Sequence, residues 1–337
     1  MPMKQFARMI DTTWPIGIMQ HSNGEKPDEN HGSSIDDNSR ALIAEVNEIG
    51  LQTPGTFKTY LQFILDARRG NGLYHNYKNH KGEWVLDAPT SKDCFARATW
   101  ALAEFAVSKK EGLEKREIAE QRFLENLPVA EQMDSPTSKA ITLIGISKYL
   151  GAKSNQDVMT AGNKLADRLM DKFIEFQDSD WVWPYDKATF CVGRIPQSLI
   201  LAGKVLGRKE LTSKGLEALD FLIRYTFENS TFVPIGNKGW LEKGGKPARY
   251  DQQTVEAGAM TEACVEAFQA TLDKKYLERA RQAFSWFTGN NTGGYNMLAL
   301  DGGVYDAITE NRINKNQGAE SVLSYLLANI KLRSISK

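Results

Sequence analysis

The 337-residue chain predicts an all-α fold, an (α/α)6 toroid of six helical hairpins forming one domain over residues 1–337. Two observations carry this expectation. Apolar residues recur at three-and-four spacing through eleven segments, the pattern of helices buried along one face rather than of alternating strands. The connections alternate short and long, as they do when helices pair into hairpins and gather their elaborate loops at one end. An open solenoid would repeat at a fixed period, and the sequence has none.

Taken in order, the spacing predicts helices over 36–50, 56–69, 91–108, 114–126, 136–151, 155–176, 188–206, 209–228, 252–271, 274–289 and 316–332, with a short one near 3–10 as the twelfth. Thr53-Pro54 and Asp134-Ser135-Pro136 are start signals, because proline fits the first helical turn, and glycines 70, 151 and 207 are expected to supply left-handed stops. Tight joins from Gly50 to Pro54, Leu150 to Asn155 and Gly207 to Glu210 alternate with long connections at 70–90, 177–187, 229–251 and 290–315. The long connections would build a cup on the toroid axis, and function is expected there.

Composition narrows the partners. Lys plus Arg equals Asp plus Glu at 42 each, so no basic excess is available to neutralise phosphates, and neither nucleic acid nor an anionic membrane is expected. Cys94, Cys191 and Cys264 are scattered through helical patterns and read as small buried residues, not as a disulfide framework or zinc site. No apolar core of a secretory signal and no ~20-residue apolar span is visible, which points to a cytoplasmic setting. No cofactor or metal is expected: the chain has no His-x-x-x-His or cysteine cluster, and Gly244-Gly245 and Gly302-Gly303 lack the context of a phosphate cradle.

Four polar clusters lie at the starts of alternate helices. The first runs from His31 to Arg40 and carries Asp36 and Asp37; Ser34 or Asp36 would cap the helix, which leaves Asp37 without a capping duty. The second, Ser91 to Trp100, spaces Asp93 and Arg97 four apart, either as a surface pair or on a packed inner helix beside Ala96 and Ala98. The third, Arg249 to Met260, sets Asp251 and Gln253 ahead of Glu256, whose small neighbours Ala257, Gly258 and Ala259 signal close helix packing. The fourth, Asn311 to Ser321, places Asn316 and Gln317 before Glu320, which either closes a capping box or faces the axis. Trp84, Trp181, Trp183, Tyr185, Trp240 and Tyr250 fall in the long connections, where aromatics either stack on sugar rings or pack the loop onto its scaffold; the run Trp181-Val182-Trp183-Pro184-Tyr185 is the best stacking candidate.

At these clusters the sequence resembles a bacterial family of six-hairpin-glycosidase-like domains, found alone or fused behind glycosyltransferases. Gly17 to His21, Asp28 to His31 and Asp36 to Leu42 look like the family's N-terminal motif ending DDNARAL. Ser91 to Trp100 looks like SEDxxGRALW, Tyr250 to Ala257 like YDEQPxEA, and Asn314 to Ser321 like NxNQGAES. Lys92 stands in place of an acid, Ala96 in place of glycine, and Gln252 and Thr254 in place of Glu and Pro, departures that thin the negative charge of the cup. The resemblance implies the (α/α)6 fold, an oligosaccharide substrate and a possible glycosyltransferase partner.

Glycoside hydrolysis needs one protonated and one ionised carboxyl. The candidates are Asp37, Asp93, Asp251, Glu256 and Glu320. Glu256 is expected as general acid, because its small-residue helix offers a dry setting, and Asp37 as general base with Glu320 as its rival. His31, Asp36, Arg40, Arg97, Trp181, Trp183, Tyr250, Gln253, Asn316 and Gln317 are expected to bind substrate. A non-catalytic carbohydrate-binding or scaffolding module is the alternative. An epimerase or isomerase working through histidines from late helices is disfavoured, since His21, His31, His75 and His80 all lie in the first quarter of the chain.

Overall fold

Serines start three of the axial helices. Ser34, Ser91 and Ser135 hold extended backbone and accept from the amides of Asp37, Cys94 and Ser138 at 3.0, 3.3 and 3.3 Å, satisfying donors that the first turn leaves free. In the computed structural model, which describes residues 2–48, 56–86, 91–109 and 112–335, twelve helices follow one another. They are α1 (Pro2–Asp11), α2 (Ile35–Asn47), α3 (Thr56–Asp66), α4 (Lys92–Ala106), α5 (Leu113–Glu131), α6 (Pro136–Leu150), α7 (Gln156–Phe176), α8 (Arg194–Val205), α9 (Lys209–Thr226), α10 (Thr254–Thr271), α11 (Lys274–Ser285) and α12 (Ala319–Arg333).

Burial sorts them into two rings. Helices α4, α6 and α10 are buried on nearly every face, whereas α3, α7, α9 and α11 bury a single stripe. The former kind packs in sequence around the axis, α2 on α4, α4 on α6, α6 on α8, α8 on α10, α10 on α12, and α12 back on α2. Each inner helix carries an outer partner, and α1 completes the set by lying against α12. The chain is an (α/α)6 toroid. Close approach of inner helices needs small residues: a Cβ on Gly258 of α10 would sit 2.9 Å from the Ser324 carbonyl of α12.

Local differences from the sequence expectation have physical causes. Helix α8 begins at Arg194 rather than 188, because Phe190 to Gly193 forms a turn packed on the neighbouring helix α10, with Cys191 at φ 58°. Helix α5 runs on to Glu131 through Pro128. Of the three glycine stops, only Gly207 is left-handed, at φ 70°; Gly151 stays helical at φ −66° and Gly70 is not left-handed. The expected start at Thr53-Pro54 and the join from Gly50 lie outside the described residues. Short strand pairs, unseen in the sequence, fasten the loops: Gln252–Gln253 pairs with Ala307–Ile308, which pairs with Ile313–Asn314, and Ser33–Ser34 pairs with Tyr77–Lys78. Among the described residues no helix is long and apolar enough to cross a membrane.

Candidate active site

The inner helices start at the end of the ring where the long loops gather, and their positive N-terminal dipole ends converge there. At this end lies a cup of about 350 Å³. Its wall is polar: Asp36, Asp37 and Arg40 from α2, Asp251 and Gln253 ahead of α10, Glu320 and Ser321 from α12, and Gln20, His21, Tyr77, Asn237, Asp306 and Asn314 from the loops.

Arg40 organises the floor. Its Nη1 lies 2.5 Å from Asp36 Oδ2 and 3.0 Å from Asp37 Oδ1, while Nη2 lies 2.8 Å from Glu320 Oε2. The helical i, i+3 and i, i+4 spacing brings the two aspartates to the arginine, and ring closure of α12 on α2 brings Glu320. Arg97, fully buried behind this wall, donates from Nε to Asp36 Oδ1 at 2.5 Å. The environments then separate two adjacent carboxyls. Burial pushes Asp36 up, but Arg40 and Arg97 outweigh it and hold Asp36 below the ordinary carboxyl value. Asp37, 4% exposed at its side chain, is pushed up to about 7 by burial, against the pull of Arg40 and with help from Asp36 and Glu320. Glu320 is 32% exposed and is the most open of the three acids that contact Arg40. It is not spent on a capping box, since α12 is preceded by Gly318 without a side-chain cap.

Beside Glu320, Asp306 accepts from the Gly318 amide at 2.8 Å and the Ser321 hydroxyl at 2.7 Å, and burial pushes its carboxyl up. Asp251 lies 3.2 Å from Lys238 Nζ.

Other residues singled out in the sequence lie elsewhere. Glu256 is 1% exposed and outside the cup lining; its carboxylate accepts from the amides of Cys191 at 2.5 Å and Val192 at 3.2 Å. Burial pushes it up to about 7, as expected of a dry setting, but its oxygens are turned to the backbone amides of the turn before α8. Trp181 and Trp183, expected on the cup, are 2% exposed and pack on Phe221 with centroids 5.1 and 6.3 Å away; burying two indoles against the core outweighs leaving them in a wet cup. Asp93 accepts from Ser138 Oγ at 2.6 Å, joining α4 to α6. His31 is exposed, 3.0 Å from Asp28, with its ring edge-on to His21. Tyr250 packs against the core, Asn316 accepts from the Gly24 amide at 3.0 Å, and the Gln317 amide donates to Ser22 Oγ at 2.5 Å; these three stitch loops together outside the cup lining.

Asp306, Tyr77 and Asn237 were not singled out in the sequence. They sit in long loops without helical periodicity, placed by strand pairs and turns. Gln20, His21 and Asn314 had a signal, since they fall inside the family-like motifs.

No family model matches the chain, and no curated protein sequence does. Solved structures do. A sugar epimerase from a ruminal bacterium superposes with a TM-score of 0.75 at 13% identity, covering 98% of this chain and 95% of that one. The cellobiose 2-epimerase from Spirochaeta thermophila gives 0.72 at 13% identity, covering 99% and 96%. The GH76 alpha-mannanase of Bacteroides thetaiotaomicron gives 0.64 at 12% identity, covering 100% and 96%. The chain shares their fold. None of these likenesses bears on a glycosyltransferase partner.

Proposed function

We propose that the protein is a carbohydrate-active enzyme that hydrolyses glycosidic bonds in the cup, with Asp37 as general acid and Glu320 as its carboxylate partner. The observation that carries this reading is the floor of the cup, where two carboxyls of unlike exposure are fixed to one arginine within a ligand-sized cavity. Asp37, protonated up to about pH 7, gives its proton to the glycosidic oxygen as the C–O bond breaks. Water then bonds to the anomeric carbon, directly or after attack by Glu320, and its released proton ends on the carboxylate that acted as base. Asp306, Asp251, Gln253 and His21 would hold sugar hydroxyls from the rest of the cup wall. This assignment moves the acid from Glu256 to Asp37, which lines the cup as Glu256 does not.

A non-catalytic sugar-binding module is the second reading, favoured by the neutralisation already present at the floor, where Arg40 and Arg97 answer the charge of Asp36, Asp37 and Glu320. The sugar epimerases and the mannanase lend support to a carbohydrate substrate without choosing the reaction. Incubating manno-, gluco- and galacto-oligosaccharides with the wild type, Asp37→Asn and Glu320→Gln decides between them. New reducing ends that fall about 10²- to 10⁴-fold in either variant, with binding kept, are the expected result. An epimerised sugar at constant chain length would replace hydrolysis by isomerisation, and undiminished cleavage by both variants would remove these residues from the mechanism.

A further inference from the structure

The cup is blind on one side. Among the described residues its lining comes from α2, the first turn of α4, the starts of α10 and α12, and the loops around them; α6, α8 and the connection 177–193 contribute nothing. That connection fills its share of the ring instead. Trp181, Val182, Trp183, Cys191 and Val192 are all buried. Phe190 and Cys191 pack on Val255 and Ala259 of α10, and a Cβ on Gly193 would lie 2.5 Å from the Ala259 carbonyl, an approach that glycine alone permits. Glu256 holds this plug by accepting both the Cys191 and Val192 amides. With that sector filled, the cup's described lining is confined to the α10, α12, α2 and α4 side of the ring. The cup's volume, about 350 Å³, falls at the small end of the ~300–1,000 Å³ that ligand pockets span.

Resting on the carbohydrate reading above, we infer that the cup accepts only the end of a sugar chain, or a mono- or disaccharide, and does not bind internal segments of a polysaccharide. The plug at Phe190–Gly193 sets this limit, and Glu256 is its positioning residue.

Unlabelled manno-, gluco- and galacto-hexasaccharides, sampled at under about a tenth conversion by mass spectrometry, test this for cleavage. One short product and one long remainder are expected; products of every length from the outset would overturn the inference. Calorimetry with the Asp37→Asn protein tests it independently of turnover: disaccharide and hexasaccharide of the same sugar should bind within about threefold of each other, whereas a tenfold or greater gain for the hexasaccharide would overturn it. Flat affinity without any cleavage by the wild type would retire the hydrolase reading and leave the chain-end reading standing. Failure of every sugar to bind would overturn both.

Discussion

Asp37 and Glu256 are carboxyls that the folded state prefers neutral, since burial raises each to about 7 from an unfolded value near 4. A raised folded value means the native state binds more protons between those limits. The stabilisation is complete below the unfolded value and is lost as pH rises through about 7. Asp36 and Glu262, held down by arginines, act in the opposite sense, so wild-type stability alone would mix the two. The melting temperature of Asp37→Asn minus that of the wild type isolates one group: it should grow more positive from pH 5 to pH 8, at about 2–4 °C per kcal/mol. A difference that stays flat would show Asp37 charged throughout. In turnover, the same group predicts a rate that falls as pH rises through about 7, a limb that Asp37→Asn should lack. The residue scale also shows where a sequence is ambiguous. A tryptophan in a loop serves a sugar or the core equally well on paper, and only the position of Phe221 decides for Trp181 and Trp183. Trp181→Ala should therefore cost about 3–5 kcal/mol of stability, measured by denaturant unfolding, while leaving the sugar affinity of the folded protein unchanged.

Helices were the legible elements, because a one-faced apolar stripe repeats locally and caps mark its ends. All twelve appear within the segments the spacing marked, with α8 starting later and α5 running longer, and the small run at Ala257-Gly258-Ala259 does mark a tight crossing, with Gly258 against the backbone of α12. Gly258→Val should force these helices apart and destabilise by about 1–3 kcal/mol, read as a lower midpoint at unchanged m-value. Loops were not legible to the same degree. The cup wall around Asp306 depends on two-residue strand pairs such as Gln253 with Ala307, too short to leave any alternation in the sequence, and so Asp306 arrives at the site unannounced. Glu256 illustrates the intermediate case: its dry environment followed from the small residues beside it, but the direction of its carboxylate depends on a loop 65 residues away in sequence.

For the molecule as a whole, one contiguous apolar core runs from Phe6 to Leu327 through both rings, and α12 returns to α2 so that no inner helix has a free edge. A closed ring of this kind should unfold in a single cooperative transition, with coincident loss of helical circular dichroism and tryptophan fluorescence; two separated transitions would divide the chain into independent units. Arg194 and Glu262, joined by paired bonds of 2.8 Å, close the axis below the plug, between the cup and a second cavity of about 370 Å³ at the other end of the ring. Closure at that level gives the cup a single doorway. Under the proposed hydrolysis, whatever enters would leave by the same route, so a freed sugar would stand in the path of the next, and each turnover would end with complete release rather than a slide along the chain. Reaction progress should accordingly slow as product accumulates, in proportion to how well that product alone fills the cup.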